Sequence, residues 1–230
     1  MFFFDPMYLL FAVPGLILAM LASFYTKSTF AKYAKITAST GLTGAMAAQK
    51  MLNNAGIYNV RVEQTQGFLS DHYDPRTKTL RLSPDVFNGR NLSAIGVACH
   101  EAGHAIQHAN AYSFLSMRTA LVPATNFCSS ISYIVIIAGF IFAANSLVLV
   151  GAVLFSVAVL FSIITLPVEW DASARAKKMM VNAGIVSPME AGKAGQVLNA
   201  AFLTYVAAAI SSLMTLLYFL LRSGIFGGSE

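Results

Sequence analysis

Between Arg118 and Glu169 the chain runs for 50 residues without one charged side chain, and this limits its fold more than any other feature. A helix rises about 1.5 Å per residue, so such a run is about twice what one bilayer crossing needs. The break at Ala144-Asn145-Ser146 divides it into two crossings, 121–143 and 147–166, joined by a tight turn. The uncharged stretches 6–26 and 194–221 are each long enough for one more. Composition agrees with this count: 57% of the chain is hydrophobic and only 11% charged, far from a soluble domain. The sequence therefore reads as a mainly α integral membrane protein with four transmembrane helices.

Charge then sets the orientation. Of the 15 Lys and Arg residues, 14 lie in 27–118 and 169–193, which places the sections 27–118 and 167–193 in the cytoplasm and both termini outside. The first span has no basic residue before it and no small-residue cleavage site after it, so it is expected to stay as an anchor. The net charge is +5 and the pI 9.3, but the cations flank apolar runs, which suits anionic lipid headgroups and not nucleic acid. Cys99 and Cys128 make no disulfide framework and read as small buried groups in a reducing compartment.

Within the first section, Thr43 to Asn54 reads as a helix stopped by Gly56, and Tyr58 to Gln64 alternates like a strand. Gly67 to Asp74 and Thr79 to Ser83 form a hairpin around Pro75-Arg76-Thr77-Lys78. The last strand of this small sheet either offers an open edge to an extended peptide or is merely structural. In the second section, Ser187-Pro188-Met189-Glu190 is a capping box with Pro at the first helical position.

Residues 92 to 110 carry the chemistry. His100 and His104 are four apart on a helix, about 6 Å from each other on one face, with Glu101 beside them. Two imidazoles that can share a zinc ion, next to a carboxylate that can take a proton from the attacking water, suit a hydrolytic metal site. Asn91 or Ser93 can cap this helix; Leu92, Ile95, Cys99, Ala102, Ile106 and Ala109 form its apolar stripe. Gly96, His100, Gly103, His104, Gln107 and His108 make the opposite face, which is polar or small and open to approach. His108 lies about 12 Å along the axis from His100, too far to share an ion with it. A catalytic zinc site takes three protein ligands, so the third should come from the carboxylates after the membrane hairpin. Glu169 shares a helix face with the small residues Ala172, Ser173 and Ala176; Asp171 shares one with Arg175 and Lys178, a solvated salt-bridge face. Glu169 is therefore the expected third ligand of one Zn2+ per chain.

The stretch His100-Glu101-Ala102-Gly103-His104-Ala105-Ile106-Gln107, followed after the hairpin by Val168-Glu169-Trp170-Asp171-Ala172-Ser173, resembles the membrane-bound neutral zinc metallopeptidases of the YugP type. The likeness extends to Ser70-Asp71-His72-Tyr73-Asp74-Pro75-Arg76 and Leu198-Asn199-Ala200-Ala201. More distantly the chain is similar to the HtpX and CaaX-protease group, where an Asp follows the ligand Glu by four residues; here that position is Ser173. Asp171 and Ser173 are thus both candidates to orient a ligand histidine. The resemblance implies a proteolytic activity and does not identify a substrate; with the charge pattern, the expectation is a cytoplasmic zincin-like peptidase domain and a membrane-associated peptide or protein substrate. Glu101 would serve as base and then acid, and His72, Tyr73 and Arg175 are candidates to steady the oxyanion. A silent zinc-binding scaffold would need a fourth ligand, and a transporter would need ionisable groups inside its spans; the sequence supplies neither.

Overall fold

The computed structural model describes residues 5–67 and 70–225. Its elements run α1 (Pro6–Tyr33), α2 (Gly44–Asn54), β1 (Arg61–Gln64), β2 (His72–Asp74), β3 (Thr79–Leu82), α3 (Pro84–Asn88), α4 (Leu92–Ala109), α5 (Ser113–Ile141), α6 (Asn145–Asn182) and α7 (Pro188–Arg222). Four of these, α1, α5, α6 and α7, are long and apolar enough to cross a membrane. The chain divides into two compact units.

The first unit takes residues through Ala22, Met117–Leu166 and those from Thr204 onward, which are segments of the four long helices. Its core is small: Ile136, Ala152, Phe155, Val159, Tyr218 and Phe219. Leu10, Leu16, Phe127, Ile134, Ile141 and Val153 point outward, as expected when lipid and not water is the solvent. Without a hydrophobic drive between helices in lipid, close packing and polar contacts hold such a bundle. A Cβ on Gly15 would meet Ser211 Oγ at 2.9 Å, and the Ser211 hydroxyl donates to the Gly15 carbonyl at 3.0 Å. The Tyr218 hydroxyl likewise donates to Asp5 at 2.9 Å.

The second unit, Ser23–Ser116 with Pro167–Leu203, holds the main core. Here α2, the sheet and α4 stack: Ala47, Ala48, Met51 and Leu52 of α2 and Leu80 and Leu82 of β3 are buried together with Leu92, Ile95, Ala98 and Cys99 of α4. Each large side chain buried in this way stabilises by about 1.5–3 kcal/mol, so packing outweighs the weak helix propensity of the α4 sequence. Local signals still set the ends. Asn91 caps α4 by accepting from Ala94 N at 2.9 Å, while Ser93 is buried and donates to the Phe30 carbonyl at 2.7 Å. Ser187 and Glu190 exchange the hydrogen bonds of a capping box at the start of α7, and Glu190 also accepts from Ser39. Burial pushes the Glu190 carboxyl up, but the donors from Ser187 and Ser39 outweigh it and hold it at about 2.

Three sequence expectations change. The sheet has the order β1-β3-β2, with β3 antiparallel to β2 and parallel to β1. The last strand is therefore the centre and offers no edge; β1 and β2 are the edges. Phe68 and Leu69 of the expected first hairpin strand lie outside the described residues. Secondly, the third span and the helix that carries Glu169 are one continuous helix, α6, which runs unbroken across 166/167, the point where the two compact units divide. Pro167 removes one backbone donor, but helices of membrane proteins tolerate this because neighbouring groups take up the freed carbonyl. Thirdly, Ala109 of the expected apolar stripe is exposed, while Gly96, Gly103, His104 and Gln107 of the expected open face are buried. That face is a helix contact: a Cβ on Gly103 would lie 2.7 Å from the Ala172 carbonyl of α6.

Candidate metal centre

The approach of α4 to α6 at Gly103 builds the site. With Gly103 on one helix and Ala172, Ser173 and Ala176 on the other, nothing bulky keeps the backbones apart, so side chains from both meet. His100 and His104 stand one turn apart on α4 with ring centroids 4.8 Å from each other. Glu169 reaches between them from α6, its Oε2 being 3.1 Å from His100 Nε2 and 3.6 Å from His104 Nε2. The ligand atoms of all three lie within 4.8 Å of one another. Bonds of about 2.0–2.2 Å at tetrahedral angles set neighbouring donor atoms about 3.3–3.6 Å apart; the two carboxylate–imidazole distances, 3.1 and 3.6 Å, lie near this range, and two imidazoles with one carboxylate suit zinc in kind.

The outer nitrogens are held too. Ser173 Oγ lies 3.1 Å from His100 Nδ1, and Gln107 Oε1 lies 3.0 Å from His104 Nδ1. The Gln107 amide nitrogen donates to the Val168 carbonyl and to Asp171 Oδ2, both at 2.8 Å. Those two partners can only accept, so the amide nitrogen must face them and its oxygen must face His104. His104 therefore carries its proton on Nδ1 and presents Nε2 to the centre. Asp171 Oδ2 also accepts from Arg175 Nε, and the guanidinium sits 5.8 Å from the Tyr112 ring centroid. The expected Asp171–Arg175 pair is thus present, but this carboxylate is not simply a solvated one: it braces the amide that fixes His104.

Electrostatics favour a cation at the centre. Glu169 is almost fully buried, which by itself would raise its carboxyl, yet the hydrogen bonds and charge of His100 and His104 hold it well below the usual range. Burial pushes His104 down, but Glu169, with the Glu101 charge behind it, outweighs this and raises it. The buried carboxylate therefore draws positive charge onto His104, and a metal ion competes with protons for the same lone pairs. Glu101 is half-buried, and among the described residues no hydrogen bond ties its carboxylate down.

Among the described residues, no hydrogen bond or ion pair joins His72 or Tyr73 to the three-residue cluster. His72 Nδ1 pairs with the Ser70 carbonyl at 2.8 Å, and the Tyr73 hydroxyl pairs with His108 Nδ1 at 2.9 Å. The sequence reading gave Gln107 no role. Its position three residues after His104 on the same helix face was the available signal, but the acceptors that define its task lie more than 60 residues away. Gln107→Leu keeps the volume and removes the bridge, so zinc affinity should fall by about 10- to 100-fold. Chelator competition would measure this, and unchanged affinity would contradict the bracing role.

The chain matches a family model described as "Putative neutral zinc metallopeptidase" over residues 8–224. It is also 44% identical over 215 residues to the "Putative membrane protease YugP" of Bacillus subtilis (strain 168), covering 94% of this chain and 96% of that protein. No solved structure matches.

Proposed function

The chain belongs to the neutral zinc metallopeptidase family, and from that premise we propose that it is a membrane-embedded zinc-dependent endopeptidase working at the cytoplasmic face of a cell membrane it crosses four times. The observation that carries the reading is the meeting of His100, His104 and Glu169 with both Nε2 atoms turned inward. His100, His104 and Glu169 would hold the ion, with Ser173 and the Asp171-Gln107 pair orienting the two rings. Zinc, when bound, supplies a Lewis acid that polarises the scissile carbonyl and makes water acidic near neutral pH. Glu101 takes a proton from the attacking water as its oxygen adds to the carbonyl carbon. The same carboxyl then gives that proton to the leaving amine as the C–N bond breaks. A closed structural site would use a fourth side-chain ligand, whereas three cluster among the described residues, which supports an open, reactive position. The test is cleavage of a mixture of membrane and soluble proteins by the zinc-loaded protein, compared with the Glu101→Gln variant.

The cytoplasmic assignment rests on charge. The sections holding His100 and Glu169 carry 14 of the 15 Lys and Arg residues, and such residues are retained on the inner side. Single cysteines placed at Lys50 and Lys193 should therefore resist an impermeant thiol reagent in intact cells and react once the cells are opened. Labelling of either position in intact cells would reverse the topology.

A further inference from the structure

A concavity lies beside α4, the helix that carries His100 and His104. It encloses about 310 Å³ between the C-terminal half of α4, Tyr73 of β2 and the segment leading into β1. Its floor is apolar, formed by Ile57, Val60, Ala105 and Ala109, of which the first three are buried. One wall is fixed by the Tyr73–His108 hydrogen bond, which leaves those polar groups satisfied. At the rim, the Asn59 amide and the Lys78 ammonium are exposed and, among the described residues, make no side-chain hydrogen bond or ion pair. Ligand pockets span about 300–1,000 Å³, so this one has room for a side chain and not for a large cofactor.

Its place on the helix connects it to Glu101. At 100° per residue, Ala105 and His108 fall within about 40° of Glu101 around α4, so the pocket continues the face that Glu101 leads. Ala105 and Ala109 lie about 6 and 12 Å along the axis from Glu101, a distance that an extended peptide rising about 3.3 Å per residue covers in two to four residues. We propose that this cavity is a substrate pocket that takes a large apolar side chain two or three residues from the scissile bond, an assignment that rests on the peptidase reading above. The Lys78 ammonium at the rim then donates to a main-chain carbonyl of the peptide.

Filling the pocket from its exposed side tests this. Ala109→Trp, and separately Asn59→Trp on the facing rim, would be loaded with zinc and given a mixture of synthetic peptides of varied sequence. The expected result is zinc content equal to wild type, with kcat/KM reduced by about tenfold or more for peptides carrying Leu, Met or Phe at one fixed distance from the cut, and little change for those with Gly or Ala there. A cleavage profile that both variants leave unchanged, or lower equally for all peptides, overturns the proposal. A binding arm separates this from the peptidase reading: dye-labelled peptides are titrated onto Glu101→Gln with and without Ala109→Trp. If the wild type cleaves nothing, the peptidase reading fails; weaker binding of Leu, Met and Phe peptides in the double variant still supports the pocket, and equal binding overturns it.

Discussion

Glu101→Gln is expected to lower peptide hydrolysis by about 10²- to 10⁴-fold while zinc content and melting temperature stay at their wild-type values. The amide has the shape of the carboxylate but no basicity, so it can neither take the proton of the attacking water nor return one to the amine. Nothing else should move. No hydrogen bond to Glu101 exists among the described residues, and the three residues that converge on the centre exclude it. Parallel measurement of cleavage, metal content and thermal unfolding separates loss of chemistry from loss of structure. Hydrolysis at the wild-type rate would remove Glu101 from the mechanism.

Glu169→Ala should lose zinc on dialysis, whereas Asp171→Ala should keep it with affinity weakened by about 10- to 100-fold. Glu169 Oε2 faces both Nε2 atoms, at 3.1 and 3.6 Å, and among the described residues it is the one carboxylate in the cluster. Its removal leaves two imidazoles from one helix and no ligand from α6. Asp171 acts one step further out, through the Gln107 amide on His104. Its loss frees Gln107 to turn and His104 to change tautomer, which weakens the site without opening it. Metal analysis of both variants after the same dialysis decides the matter. If Asp171→Ala is the one that arrives empty, the two carboxylates must exchange roles.

What the sequence determined by itself was local and repetitive. Charge-free runs report length against a bilayer, and the four long helices follow from them because no soluble packing is needed to make such runs helical. The four-residue spacing of His100 and His104 is a property of helix geometry, and it brings their rings together wherever the helix lies. Asn91 and the Ser187-Glu190 box set helix starts through neighbours three residues away. The tertiary structure alone decided what depends on distant pairing. Parallel pairing put β3 between β1 and β2, which no turn signal encodes. The continuity of α6 through Pro167 could not be read from a residue that usually marks a helix boundary. Gln107 found its partners at Val168 and Asp171 only because Gly103 lets α4 approach the Ala172 backbone. A glutamine on a polar helix face looks the same whether water or another helix covers it; the facing surface gives it a task, and that surface comes from a part of the chain more than 60 residues away.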